Sequence, residues 1–373
     1  MPSKTSTSRP RRGRTRRPPT VRGQAKLIRG NPFIALLSTV RRDVDARLRG
    51  YLDARLDAVR THGREVTDMV GAVRDLSLRG GKRLRAALVV AGFRTANPNA
   101  DLEPAVDAGV ALELLHTYFL IHDDWMDGDT VRRGGPAVHT QLSRRFRSRE
   151  LGAASGILAG DFAAAMAVDA LSRVELVPAR AMAVLNCFGQ MQMDAVLGQQ
   201  LDVIGSGKNV ETTYQLKTGS YTVRGPLRLG ALLANASPRI LTALDRFAMP
   251  VGVAFQLRDD LLGAFGDPEA TGKPLGSDLR SGKRTVLLTT ALRRARGRDH
   301  RLLKSVVGTP RASDAKIRAA IGVLERSGAK AAVEARIADL VTSAEVALRA
   351  GRIPADASAL LRGAAHALTE RGT

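Results

Sequence analysis

The sequence predicts an all-α fold, on three observations. From about residue 33 onward, apolar residues recur every three to four positions, the spacing of one helix face. No run of alternating apolar and polar residues is flanked by hairpin turn signals. Aromatic residues make up only 4% of the chain, and Ala, Leu, Val and Arg dominate; Val apart, these lose little on entering a helix. At 373 residues the chain suits one large domain or two ordinary ones, is too long for a simple four-helix bundle, and shows no internal repeat.

The elements follow in order. Residues 1–32 mix Ser, Thr, Pro, Gly and Arg without hydrophobic period, so this arm is expected to stay disordered. Residues 1–42 hold twelve Lys/Arg and no acid; removing those twelve from the formal charge of +22 leaves +10 for residues 43–373. Such a run is a solvated arm, or attaches weakly to nucleic acid or anionic lipid. No apolar run follows it as a secretory signal requires, and Arg16-Arg17-Pro18-Pro19 argues against the amphipathic helix of a transit peptide. The helical domain, 33–373, has periodic stretches at 40–59, 68–77 and 84–93, the last two separated by Gly80-Gly81. A long helix at 105–126 leads to a turn at Gly134-Gly135-Pro136. Helices follow at 153–172, 178–201, 214–233, 237–265 and 285–295, then a loop at 297–300, then 302–307, 314–327, 329–350 and 355–371. No stretch of about 18 uninterrupted apolar residues occurs, so no transmembrane segment is expected. The single cysteine, Cys187, excludes an intrachain disulfide and reads as a small buried apolar residue.

The chemistry concentrates in two acidic clusters. His122-Asp123-Asp124-Trp125-Met126-Asp127 ends the apolar helix at 105–126. At about 100° per residue, Asp123, Asp124 and Asp127 fall near about 0°, 100° and 40°, on one arc of its surface. Three carboxylates there repel one another, and a helix C-terminus disfavours anions further. They need a cation, and oxygen donors without His or Cys at metal spacing suit hard Mg²⁺ rather than zinc. The second cluster, Gln256-Leu257-Arg258-Asp259-Asp260, is also set in apolar helix. Basic groups accompany the two: Lys82 and Arg85, Arg132 and Arg133, Lys217-Thr218-Gly219, Lys273, and Lys283. Carboxylates for metal and separate Lys/Arg forks fit ligands that carry condensed phosphates.

With these motifs in this order, the chain resembles the trans-isoprenyl diphosphate synthases of the polyprenyl synthetase family, over roughly residues 45–370. The likeness is greatest to bacterial short-chain farnesyl and geranylgeranyl diphosphate synthases. It rests on Gly81-Lys82-Arg83-Leu84-Arg85, Asp123-Asp124-Trp125-Met126-Asp127, Arg132-Arg133-Gly134-Gly135-Pro136-Ala137-Val138-His139, Lys217-Thr218-Gly219 and the second aspartate cluster. The resemblance implies the isoprenoid synthase fold, with helices surrounding a central active-site cavity. It implies three Mg²⁺ ions held by Asp123, Asp127 and Asp259, with Asp124 counted among the ligands and Asp260 in support. Arg132, Lys217, Thr218, Gln256, Lys273 and Lys283 would contact the allylic diphosphate. Lys82, Arg85, His116 and Arg133 would bind isopentenyl diphosphate. Tyr118 and Phe119, just before Asp123, would limit chain length, favouring a C15 product first and C20 next. A cytoplasmic homodimer with no obligatory nucleic acid is also implied. One position departs: Gly263 stands where a third aspartate often sits, which puts an outer metal contact in question.

Two other readings use the same residues. A class I terpene cyclase also ionises prenyl diphosphates, but lacks an isopentenyl site and carries a different second metal motif. A non-catalytic partner subunit of a synthase tends to lose acidic motifs, whereas the first is complete here.

Overall fold

The computed structural model describes residues 30–205, 210–266 and 275–370, almost all helical. The first long helices are α1 (Pro32–Val59), α2 (Arg64–Leu78), α3 (Leu84–Ala96) and α4 (Glu103–Met126). Next come α5 (Val138–Phe146), α6 (Arg149–Ser172) and α7 (Pro178–Ile204). A short α8 (Val210–Thr213) leads into a π-helix, Tyr214–Arg224, and then α9 (Gly225–Leu233) and α10 (Pro238–Phe265). The C-terminal part holds α11 (Ser277–Ser281), α12 (Val286–Arg294), α13 (Gly297–Val306), α14 (Asp314–Arg326), α15 (Ala329–Ala350) and α16 (Ala355–Thr369).

Four helix starts carry a side-chain cap. Ser148, Ser237, Thr285 and Ser313 each accept a backbone N–H from the first turn of α6, α10, α12 and α14. Helix α4 is apolar on nearly every side and lies at the centre, as a helix without a polar face must. It packs on α6 and α3, while α9 packs on α3 and α7 on the π-helix. The core has two parts. The larger joins α1 to α7, the π-helix, α9, the first half of α10, the end of α15 and α16. The smaller joins the second half of α10 to α12–α15. Helix α10 belongs to both, and its Asp259-Asp260 pair lies in the half packed against the smaller core.

Four local expectations change. The region 297–300 is the first turn of α13 rather than a loop. The turn at 134–136 closes a two-strand antiparallel hairpin, β1 (Val131–Arg132) with β2 (Gly135–Pro136), too short to leave an alternating pattern. The helix from 214 begins as a π-helix. By length and hydropathy alone, α4, α6 and α10 are apolar enough to cross a bilayer, contrary to the expectation. In α4 and α10 most of the apolar window is buried within the fold, 67% and 56%, so protein rather than lipid covers it.

Helix α6 has only 39% of that window buried. Twelve of the sixteen exposed large hydrophobics in the described residues lie between Leu151 and Ile204, on α6, α7 and their connection. On α7 they are Met182, Leu185, Met193, Val196, Leu197, Val203 and Ile204, which share one helix face.

Candidate active site

A cavity of about 330 Å³ opens among α3, α4, α7, the π-helix and α10. Its wall brings together Lys82, Arg85, His116, Phe119, Asp123, Arg133, Lys217, Thr218, Gln256 and Asp259, which come from positions up to 177 residues apart. Both aspartate clusters therefore address one space. Asp123 is pushed above the usual carboxylate range, first by burial and then by Asp127 and Asp202, with Lys217 and Arg132 opposing. Asp127, at the exposed end of α4, is raised by burial and by Asp202, with Lys217 and Lys283 opposing. Among the described residues, no three His, Cys, Asp or Glu groups form a ready-made metal nest.

Two aspartates face away from that space. Asp124 has no exposed surface; Arg132 donates from Nε to its Oδ1 at 2.6 Å, and Oδ2 is buried without a partner. Burial pushes it up to about 6, against the arginine. Asp124, expected among the metal ligands, is here the buried partner of Arg132, which also meets Asp129 at 3.1 Å. Asp260 accepts from Tyr214 Oη and, at 3.0 Å, from Gln256 Nε2. Burial pushes it up to about 7, with Lys283 opposing. Lys283 lines a small neighbouring pocket with Asp260 and Asp278. Burial disfavours its charge, yet Asp202, Asp260, Asp278 and Asp127 raise it above the usual lysine value.

Close backbone packing sets the Lys217-Thr218-Gly219 segment. A Cβ on Gly252 of α10 would stand 2.4 Å from Gly219 Cα, so two glycines face each other where the helices touch. That contact lets Thr218 Oγ1 donate to Gln256 Oε1 at 2.7 Å. The π-helix supplies the extra residue per turn at this point, as such bulges often do at functional sites. Lys217 Nζ reaches Asp202 at 2.8 Å.

The basic end of the cavity is strongly cationic. His116 sits with Nδ1 buried and unpartnered. Burial, then Arg85, Arg133, Arg83 and Arg132, hold its pKa well below the usual value. Arg133 is lowered by burial and by Arg83, Arg85 and Arg132, with Glu113 opposing. Arg85 lies 4.4 Å over the Tyr221 ring and donates to Thr222 Oγ1 at 3.0 Å. Such crowding of positive charge suits an anion with several oxygens.

Phe119 is on the wall and meets Tyr221 edge-on at 4.7 Å; Tyr118 lies behind it, 4.7 Å from Phe119 and 4.8 Å from His122. The Gly263 departure also has a spatial account. A Cβ there would fall 2.5 Å from Asp278 Oδ2, so the Asp278 carboxylate takes the room. Lys273 lies outside the described residues. Cys187 is half-buried, and burial pushes its thiol up to about 12.

Residues 68–324 match a family model described as polyprenyl synthetase. The chain belongs to the polyprenyl synthetase family. The short chain isoprenyl diphosphate synthase of Methanocaldococcus jannaschii is 33% identical over 69% of this chain and 77% of that protein. The (2E,6E)-farnesyl diphosphate synthase of Mycobacterium bovis is 32% identical over 78% and 80%. A crystal structure of geranylgeranyl pyrophosphate synthase from Corynebacterium glutamicum, complexed with isoprenyl diphosphate and magnesium, superposes with a TM-score of 0.84. It is 36% identical, covering 90% of this chain and 99% of that one.

Several site residues lay beyond sequence reasoning. Asp202 pairs with Lys217 and its charge acts on Asp123 and Asp127, but from sequence it is a lone acid near the end of α7. Tyr221, 4% exposed with an unpartnered hydroxyl, and Gln199, with both amide atoms unpartnered, also line the cavity. Only adjacency to the Lys217 motif pointed toward Tyr221.

Proposed function

We propose that this polyprenyl synthetase is a trans-prenyltransferase that condenses isopentenyl diphosphate with an allylic diphosphate to a short-chain all-trans prenyl diphosphate. One observation carries the reading: two aspartate clusters and a separate cationic end share one cavity. In the reaction the allylic C–O bond breaks, the isopentenyl double bond forms the new C–C bond, and the resulting cation loses a proton. The products are a prenyl diphosphate five carbons longer and pyrophosphate.

The donor set fits Mg²⁺, a hard cation usually held by one or two carboxylates together with substrate phosphates rather than by an all-protein cage. We assign Asp123 and Asp127 on one side and Asp259 on the other as the holding residues, for three ions in all. When bound, Mg²⁺ supplies neutralisation of the charge that develops on the departing diphosphate. Lys217, Thr218, Gln256 and Lys283 orient the allylic diphosphate, and Arg132, fixed by Asp124, presents its remaining donors to it. Lys82, Arg85, His116 and Arg133 hold isopentenyl diphosphate, aligning its double bond with the allylic carbon. Phe119, Leu120 and Phe255 make the wall apolar and keep water from the cation. The released pyrophosphate is the natural acceptor of the final proton.

Product length is assigned to the floor at Phe119, giving C15 first and C20 next. Incubation with isopentenyl diphosphate, each allylic primer and Mg²⁺, with products sized by chromatography, tests the whole reading. All-trans C15 or C20 diphosphate supports it; cyclic hydrocarbons, or no coupling, refute it. The apolar stripe on α6 and α7 supports a homodimer, because patches of that size mark association surfaces. Leu185→Glu with Leu197→Glu would then halve the mass seen by light scattering; an unchanged dimer would exclude this face.

A further inference from the structure

The loop between α2 and α3 carries Arg79, Lys82, Arg83 and Arg85, and the four differ in what surrounds them. Lys82 and Arg85 flank Arg83 in sequence and line the cavity. Arg83 is sealed, with its side chain 2% exposed. Its Nε donates to Asp45 Oδ1 at 2.7 Å, Nη1 to Glu113 Oε2 at 2.8 Å, and Nη2 to the Ser77 carbonyl at 2.9 Å. Three elements thus converge on one guanidinium: Asp45 from α1, Glu113 from α4 and Ser77 from α2.

The backbone at this point is unusual. Gly80, Gly81 and Arg83 all have positive φ, of 92°, 150° and 50°. A residue with a Cβ rarely adopts such a conformation, so the surrounding bonds must over-determine it. Arg83 is also the residue from which α3 departs, since its carbonyl accepts from Ala87 N at 3.0 Å. Its conformation therefore sets where Arg85, two residues on, emerges. On the other side, Gly81 packs on Arg133, whose Nη2 would lie 3.2 Å from a Cβ there. Glu113, 3% exposed, opposes the repulsion that Arg83, Arg85 and Arg132 exert on Arg133.

We propose that Arg83, anchored by Glu113 and Asp45, is a positioning residue that holds Lys82, Arg85 and Arg133 toward one diphosphate. It rests on the isopentenyl diphosphate subsite proposed above, and it gives Arg83 no contact with substrate. The role needs the guanidinium fork rather than the charge alone, because a lysine cannot serve three acceptors in this geometry.

The test is Arg83→Lys, which leaves Glu113 with a cationic neighbour and so limits loss of folding. It should raise KM for isopentenyl diphosphate about tenfold or more, leave KM for the allylic primer within about twofold, and lower kcat little. Glu113→Gln discriminates further. If Glu113 acted only through its field, removing its charge would strengthen anion binding and lower KM; positioning requires KM to rise. Lys82→Ala is run in parallel. A raised isopentenyl KM in Lys82→Ala but not in Arg83→Lys would overturn the positioning role and leave the subsite standing. If neither variant raises it, the subsite itself is misassigned, and the proposal falls with it. Equal rises for both substrates in Arg83→Lys would reduce Arg83 to a general structural residue.

Discussion

Replacing Phe119 with alanine should lengthen the product. The ring stands about 6 Å along α4 from Asp123, four residues at the helical rise. It is held by edge and tilted contacts at 4.7 Å to Tyr221 and Tyr118, each worth about 0.5–1.5 kcal/mol. A five-carbon unit entering this space gains about 4 kcal/mol, at roughly 0.8 kcal/mol per buried carbon. In the native floor that gain is opposed by displacing the ring and breaking its contacts. Phe119 is only half-buried, so half the gain, about 2 kcal/mol, is the fair measure of what the variant releases. That is about a thirtyfold shift in the partition between releasing a chain and extending it. The fold should tolerate the change at a cost near the lower end of Phe→Ala substitutions, about 3 kcal/mol. The assay is the chain-length distribution after prolonged elongation with excess isopentenyl diphosphate, read by mass spectrometry. The dominant product should grow by at least one unit, and adding Tyr118→Ala should extend it little further. An active double variant with native product lengths would show that the rings only pack the core.

Arg133→Ala should raise KM for isopentenyl diphosphate more than for the allylic primer, since the lost fork serves one substrate; equal effects would erase that division. Deleting residues 1–30 should leave kcat and both KM values near native, because the arm holds no assigned ligand, while weakening any salt-sensitive binding to polyanions; a folded but inactive truncation would place the arm in the reaction. His116 stays neutral in the fold because its pKa is lowered, so below about pH 6.5 the unfolded chain binds a proton that the native one does not. Stability should therefore fall as pH drops below about 6.5 and be fully present above it. His116→Gln should flatten the dependence of Tm on pH there, and an unchanged slope would contradict the neutral buried imidazole.

The helices, the two aspartate clusters and the basic motifs were legible because each is a local pattern: apolar spacing of three and four, carboxylates one turn apart, glycine beside lysine. What the sequence could not show is which member of a pattern faces the substrate. Asp123 and Asp124 are adjacent, but one lines the cavity and the other is sealed behind Arg132, a difference of about 100° set by packing. Arg83 sits in a run of cations with no signature of its own, and only the three acceptors from distant elements set it apart from Lys82 and Arg85. Asp202 and Tyr221 carry no local signature, since their place depends on α7 and the π-helix meeting. Gly263 put an outer metal contact in question, and only the structure shows the Asp278 carboxylate in the space a side chain there would need. The apolarity of α4 and α10 reads as a membrane signal for the same reason that both are central helices: hydropathy records burial without naming what does the burying.

The central claim is that carboxylates from two sides of one cavity, with Mg²⁺, drive ionisation of the allylic diphosphate. The measurement is kcat for condensation across a titration of Mg²⁺ against EDTA, on the native enzyme and on Asp123→Ala and Asp259→Ala. Native activity should vanish in excess EDTA and return with Mg²⁺, and each variant should lose at least about two to three orders of magnitude. Full turnover in excess EDTA, or variants that keep most of the native rate, would contradict the account.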